Sequence, residues 1–289
     1  PLFARPTLNL TGVPGVVALP YDTVGTQFSL TVTHSGDATD YFLGFSASSN
    51  GGYDPRILEE KKSKSQLTYN LFTQNGDVLK DPDTAFAANE VFSGSFAQSV
   101  TQQQQTFLVD ARVLATAFDE AGIYDDTVTI QIYTGDPNGA YAKYGGGQAR
   151  IDLEATVPNI SELSIVGDGG AYDPASKAYT MDFGPLATGQ LQNADMLFRS
   201  NSPYTLTVAS ANGGVLVNTL ITTSTDQIPY TFRVNGVAAN LGGNFKIDQT
   251  NAGTGPIYLR YDLQVEIGTF GVVDAGIYED VLTFTLSAR

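Results

Sequence analysis

The residues able to do chemistry are few and scattered. His34 is the only histidine and cysteine is absent, which excludes thiol catalysis, zinc–cysteine sites and iron–sulfur clusters. His34 follows the alternating Phe28, Leu30 and Val32. That makes it a strand-end residue rather than a base or ligand, and no Ser–His–Asp order surrounds it. Two acidic pairs, Asp81/Asp83 and Asp125/Asp126, would serve glycoside hydrolysis only at a particular carboxyl separation. Asp81-Pro82-Asp83 reads as a turn and lacks the spacing of an EF-hand calcium loop. Gly145-Gly146-Gly147 neither follows the strand pattern of a phosphate loop nor opens a helix. The expectation is a chain that is not an enzyme, with no catalytic residues, no metal and no cofactor.

Charge narrows the partners. There are 30 acidic and 15 basic residues, a formal net charge of −15. Phosphate neutralisation needs clustered Lys and Arg, so nucleic acid is excluded. The one basic cluster, Lys61, Lys62 and Lys64, follows Glu59 and Glu60 and reads as a solvated turn. No charged-then-apolar leader precedes Pro1, as expected of a processed or trimmed chain. No apolar run is long enough to cross a bilayer as a helix.

The elements holding these residues have a period of two. Ile257, Leu259, Tyr261, Leu263, Val265 and Ile267 alternate with polar residues. So do Phe107, Val109, Ala111, Val113 and Ala115, and again Ala149, Ile151, Leu153, Ala155 and Val157. Alternation of this kind marks half-buried antiparallel strands. Gly, Asn, Asp and Pro punctuate the runs. The predicted class is all-β, with two immunoglobulin-like β-sandwich domains.

The halves repeat one another. Ala-Gly-Ile-Tyr occurs at 121–124 and at 275–278, an offset of 275 − 121 = 154. An acidic pair follows each copy, Asp125-Asp126 and Glu279-Asp280. Ala47–Gly52 resembles Ala209–Gly214, and Tyr69–Phe72 with Asn75-Gly76 resembles Tyr230–Arg233 with Asn235-Gly236. The Asn-Gly pairs read as hairpin turns. Pro158 interrupts an alternating run, placing the boundary near 156–160 and the domains at 1–157 and 158–289. The glycine and tyrosine of the Ala-Gly-Ile-Tyr element read as a sharp turn and a tyrosine corner.

The copies are unequal. After Asp126 the first runs a strand, Thr127–Thr134, then a glycine-rich loop, then a strand Gln148–Val157 carrying five inward apolar residues. After Asp280 the second runs only Val281–Ala288. The expectation is a groove lined by Leu282, Phe284, Leu286, Leu263 and Val265, with an open strand edge that another chain fills by β-augmentation. The alternatives are a truncated chain, or closure by the domain's own N-terminal part. The start, Pro1 to Pro6, has two prolines and no clean alternation. The chain therefore reads as an acceptor that does not donate, a unit at one end of a polymer.

Phe183-Gly184, Tyr204-Thr205-Leu206 with Asn212-Gly213, and Asp274–Asp280 with its terminal strand resemble the spore coat protein U domain of archaic chaperone–usher pilus subunits. The first half carries the pattern more weakly, at Asn50-Gly51 and Glu120–Asp126. The two-domain form is similar to the tip adhesins of that family. The resemblance implies periplasmic transit, a dedicated chaperone, an outer-membrane usher, a donor strand from the adjacent pilin, and a cell-surface location at the pilus tip. It also implies that domain 1–157 binds surfaces and that domain 158–289 accepts the strand. Many members carry a disulfide, which this chain does not.

Three turn-bounded loops of the first half are apolar: Gly12–Pro20, Ala85–Phe92 and Ala140–Tyr144. Clustered at one pole they would suit a hydrophobic or host surface, because burial of apolar area is non-directional. The expected contacts are Val16, Val17, Leu19, Phe86, Ala87, Tyr141 and Tyr144. The competing reading makes Val16–Leu19 and Val91–Phe92 ordinary strand positions facing the core. Other possibilities are a lectin-like tip using Tyr53, Asn50 and nearby Asp residues to bind a specific glycan, and a structural pilus or coat subunit.

Overall fold

The computed structural model describes residues 5–114, 118–221, 223–250 and 252–289. Residues 1–4 of the N-terminal stretch, and Ala115 at the end of its alternating run, lie outside them. The chain forms two compact units, one of residues up to 117 with 122–158, the other of 118–121 with 159–289. Both are immunoglobulin-like β-sandwiches.

The first unit holds β1 (Thr7–Thr11), β2 (Val16–Leu19), β3 (Thr26–Gly36), β4 (Thr39–Phe45), β5 (Arg56–Glu60), β6 (Gln66–Phe72), β7 (Phe92–Phe96), β8 (Ser99–Val113), β9 (Gly122–Gly135) and β10 (Tyr141–Val157). Hydrogen bonding follows the path β1-β3-β8-β6-β5-β9-β10-β2, with β4 between β7 and β9. The β5–β9 contact is only two residue pairs, Glu59–Asp125 and Glu60–Tyr124. Divided there, the path gives two layers around one core. Alternation supplies that core: Val128, Ile130 and Ile132 of β9 and Ile151 and Leu153 of β10 are completely buried. Ala149, the outermost of the five predicted β10 positions, is half-buried.

The second unit holds β11 (Ser161–Gly167), β12 (Leu191–Ser200), β13 (Tyr204–Ser210), β14 (Val215–Asn218), β15 (Gln227–Val234), β16 (Val237–Ala238), β17 (Phe245–Thr250), β18 (Leu259–Ile267), β19 (Tyr278–Glu279) and β20 (Leu282–Ala288). Its ladders run β11-β12-β18-β15-β14-β19 and β17-β13-β20. Asn235 and Gly236, both at positive φ (49° and 77°), make the two-residue turn from β15 to β16, the geometry that Asn-Gly favours.

The register fixes the repeat. β4 pairs with β9 from Tyr41–Thr134 to Phe45–Ile130, and β13 pairs with β20 from Tyr204–Ala288 to Ser210–Leu282. β5 meets β9 at Glu60–Tyr124, and β14 meets β19 at Asn218–Tyr278. The acidic residue after each Ala-Gly-Ile-Tyr element closes the same contact twice. Asp126 accepts from the Tyr69 hydroxyl (2.6 Å) and from the Ser49 amide (2.9 Å) and hydroxyl (2.5 Å). Asp280 accepts from the Tyr230 hydroxyl (2.5 Å), the Ser210 hydroxyl (2.5 Å) and the Asn212 amide (3.0 Å). Each carboxylate ties the loop after β4 or β13 to the strand that crosses beneath it. Tyr124 is fully buried, and the Tyr278 hydroxyl donates to the Asp274 carbonyl (2.9 Å).

The copies part at the last strand. β9 lies between β4 and β10, whereas β20 pairs with β13 and with no other strand among the described residues. Leu282, Phe284 and Leu286, the counterparts of Val128, Ile130 and Ile132, are only half-buried.

Replacing Asp126 with Ala leaves the fully buried Tyr69 hydroxyl without its acceptor, and is expected to cost the first unit about 3 kcal/mol. Urea unfolding of the full chain measures this, and a loss below about 0.5 kcal/mol would remove the clamp from the account of the fold.

Candidate functional site

The strand β4 contains an unbroken apolar run, Tyr41-Phe42-Leu43, and both of its faces are covered. Tyr41, Leu43 and Phe45 enter the main core, while Phe42 points the other way and is still fully buried. Its cover is a small second cluster on the outside of the sandwich, made with Tyr133, Val91 and Phe86. Phe42 stacks on Tyr133 with ring centroids 5.1 Å apart and meets the Tyr141 edge at 5.3 Å. Phe86 lies 6.0 Å from Phe42 and 6.3 Å from Tyr141. Tyr141 remains 41% exposed, and Phe86 is half-buried between exposed Ala85 and Ala87. The result is an aromatic patch with a buried base and an open top.

A buried polar network fixes this patch to the sandwich. Asp81, under Tyr133, accepts from the Tyr133 hydroxyl (2.9 Å) and the Asp83 amide (3.2 Å). Burial pushes its carboxyl above the usual carboxylate range, against the opposing effect of the Tyr133 hydroxyl. Asp83 accepts in turn from the Tyr53 hydroxyl, and the Tyr53 ring lies under the Arg56 guanidinium at 5.1 Å. Arg56 is completely buried. It donates to the carbonyls of Phe45, Ser46 and Leu79 and to the Asn70 side chain. The loop itself is closed by a single 3₁₀ turn, Ala88–Glu90. There the Glu90 carboxylate accepts from the Ala87 amide (2.8 Å) and pairs with Lys80 (2.7 Å).

The three apolar loops do not form one cluster. Phe86 and Tyr141 come together, with exposed Ala87 next to Phe86 in the chain. Val16–Leu19 is strand β2, paired in parallel with residues 152–155 of β10, many residues along that strand from Tyr141. Val16 points outward, 61% exposed, but Val17 and Leu19 are core residues at 6% and 3%. The expected surface roles of Val17 and Leu19 are therefore corrected: alternation along a paired strand sends both inward. Val91 is likewise buried. Tyr144 is also corrected. Its ring packs on the main core, and its hydroxyl accepts from the Leu8 amide (3.1 Å) and donates to the Pro6 carbonyl (3.2 Å).

The expected glycine-rich loop is absent too. Residues 141–157 are one strand with an irregularity between Lys143 and Gln148. The buried Gln131 amide stitches it, donating to the carbonyls of Tyr144 (2.9 Å) and Gly147 (3.1 Å).

The remaining chemical candidates are structural. His34 is buried, stacked on Phe96 at 4.9 Å, with Nε2 donating to the Asp37 carbonyl (2.8 Å). Lys61 and Lys64 pair with Asp125 and Glu59. Tyr53 is committed to Asp83, and Asn50 is exposed.

In the second unit Leu263 and Val265 are buried in the core, and Leu282, Phe284 and Leu286 pack against that core from the open strand. Between β11 and β12, where the first unit has β2, Met181 and Phe183 pack on the same core without joining a strand. The apolar floor that β10 covers in the first unit is thus present in the second, beside an edge of β20 that has no partner among the described residues.

Residues 7–131 match the Spore Coat Protein U domain family. The match lies in the first unit, whereas the sequence resemblance was drawn most specifically from the last third. No curated protein matches the chain. Among solved structures the chain is similar to the CsuC-CsuE chaperone–tip adhesion subunit complex of Acinetobacter baumannii. That likeness has 12% identity, covers 98% of this chain and 99% of that one, and has a TM-score of 0.46. It is also similar to the CupB6 tip adhesin of Pseudomonas aeruginosa, at 10% identity, coverage of 99% and 95%, and a TM-score of 0.40. The CooA pilin subunit of enterotoxigenic Escherichia coli matches 52% of this chain over 98% of its own length, at 17% identity and a TM-score of 0.29. The aromatic patch combines SCPU-matched residues, Phe42 and Phe86, with Tyr133 and Tyr141 just beyond the match.

Asp81 makes the patch support pH-sensitive in a defined direction. Its folded pKa is raised, so its contribution is fully present below the unfolded carboxylate pKa and is lost as pH rises through the folded value. Asp81→Asn keeps the oxygen that Tyr133 and Asp83 use and carries no charge. Its stability relative to wild type should therefore improve between pH 4 and pH 7. Thermal melts of both proteins across that range test it, and a constant difference would contradict the assignment.

Proposed function

We propose that the chain is a pilus subunit that attaches to apolar surfaces through the aromatic patch of its first unit and joins its assembly by accepting a strand into its second. The observation that carries this reading is the asymmetry between copies: one sandwich closed by its own β10, the other with a half-covered core beside a strand edge that is unpaired among the described residues. An exposed edge over apolar surface is an aggregation hazard, and strand addition resolves both deficits together. Completing the burial of Leu282, Phe284 and Leu286 would contribute on the order of 1 kcal/mol for each side chain. The SCPU match and the pilus proteins to which the chain is similar agree with this reading. By it, the partners are a periplasmic chaperone, an adjacent pilin that donates the strand, and an outer-membrane usher. The location is the periplasm in transit and then the pilus tip. Residues 7–11 pair within the first unit's own sheet, so that segment is not free to be donated.

The attachment surface is Phe86, Ala87 and Tyr141. Its value for binding lies in a rigid base. The rings are held by Phe42, Tyr133 and the Asp81–Asp83 network, so little side-chain freedom is lost on contact.

Phe86→Asp and Tyr141→Asp should each lower attachment to polystyrene at least about tenfold, while Val16→Asp, on the distant β2, should not. Circular dichroism controls for folding, and full attachment by both aromatic variants would refute the assignment. A second measurement addresses the groove. Extending the chain past Arg289 with a flexible linker and a copy of residues 148–157 should raise the melting temperature of the second unit by about 4 °C or more. The same extension on a Phe284→Asp background should give no gain.

A further inference from the structure

Beside the aromatic patch lies a polar depression that apolar attachment does not use. It has a volume of about 340 Å³, within the range of small-ligand sites, and it opens on the side of β4 that carries Asp40 and Phe42. Ser93 pairs with Phe42 and Ser95 with Asp40, so two hydroxyl-bearing residues line one side. Gly135 and the turn residues Asp136 and Pro137 line the other.

A close backbone approach shapes one side of the depression. Gly135 sits at φ +113°, and the Ala140 carbonyl oxygen is 2.3 Å from where a Cβ would be. Only glycine fits there. Tyr141 is the β10 partner of Gly135, which sets an exposed aromatic ring on the next strand.

The lining chemistry is selective. The Asp40 carboxylate has no hydrogen bond or ion pair among the described residues. Asp136 spends Oδ1 on the Asn138 amide (2.8 Å) and keeps Oδ2. No lysine or arginine lines the depression. An anion would meet two carboxylates without a counter-charge, whereas a ligand rich in hydroxyl or ammonium donors would meet acceptors on both sides. The Pro137 ring offers apolar surface to C–H groups. Hydroxyl donors around a ring with an apolar face describe a pyranose, and a protonated amine adds charge complementarity with a protein of net charge −15.

We propose that this depression is a binding subsite for a non-anionic saccharide, with an amino sugar as the favoured ligand. It is a second site, distinct from the apolar attachment surface, and does not depend on that reading.

The test uses the full chain, saturation-transfer NMR and calorimetry, with four probes: the trisaccharides of glucosamine, glucose and galacturonate, and N-acetyl-lysine methylamide. Glucosamine trisaccharide should bind most tightly, glucose trisaccharide more weakly, and galacturonate trisaccharide not at all. Asp40→Ala should weaken glucosamine binding at least about tenfold, and Ser95→Trp, which fills an exposed position, should abolish it. Phe86→Asp should leave saccharide binding intact while removing attachment to polystyrene, so the two readings fail separately. The proposal is overturned if neither the glucosamine nor the glucose trisaccharide binds at about 10 mM, or if galacturonate binds equally. It also falls if Asp40→Ala and Ser95→Trp change nothing, or if the lysine derivative binds as tightly as the glucosamine trisaccharide.

Discussion

The ladder between β9 and β10 extends from the Gly135–Tyr141 pair to the Gly122–Val157 pair, and the first unit is organised around it. It supplies partners for one whole side of β9, delivers Ile151, Leu153, Ala155 and Val157 to the core, and gives β2 a strand to pair with in parallel. A strand buried among apolar neighbours needs hydrogen-bond partners along both edges. Where β10 is present, Val128, Ile130 and Ile132 are sealed. Where no second strand lies against β20 among the described residues, Leu282, Phe284 and Leu286 keep part of their surface in water, and Met181 and Phe183 pack on the core without joining a sheet. One missing interaction accounts for each of these differences between otherwise parallel copies.

The alternating runs stated the strands openly. The run ending at Val157 alternates because one of its faces is covered and the other is wet. The repeat was equally legible, since Ala-Gly-Ile-Tyr stands 154 residues apart and each copy occupies the same register. What alternation could not say is which neighbour a short apolar stretch meets. Val16–Leu19 reads as a loop when judged by its flanking prolines and glycines, yet a parallel ladder with β10 turns Val17 and Leu19 inward. Tyr144 looks like half of an exposed pair with Tyr141, but the two stand three residues apart, an odd step that sends their rings to opposite faces of the strand. A signal for the aromatic patch was nevertheless present. Tyr41-Phe42-Leu43 is too continuously apolar for a strand with one wet face, and that excess is what Phe86 and Tyr141 cover.

The repeated carboxylate clamp shows how function and fold share one motif. The acidic residues after Ala-Gly-Ile-Tyr hold the fold together. Asp126 and Asp280 each hold a tyrosine from a neighbouring strand and the start of a loop, doing in both copies what a disulfide does in other small domains. Because the clamp of the second unit is made with Tyr230, Ser210, Asn212 and the Val281 amide, all within that unit, it is complete before any further strand is added. The open edge is therefore presented by a sandwich whose other contacts are already in place.

Tension gives β10 another meaning. The strand leads through Val157 directly into Pro158 and the second unit, so a pull applied there reaches the first unit at the end of its longest strand, 17 residues. A load directed lengthwise along β10 would meet hydrogen bonds to β9 and β2 that lie across that direction. Bonds loaded in this way share the strain and must yield together, whereas bonds pulled open from one end yield singly.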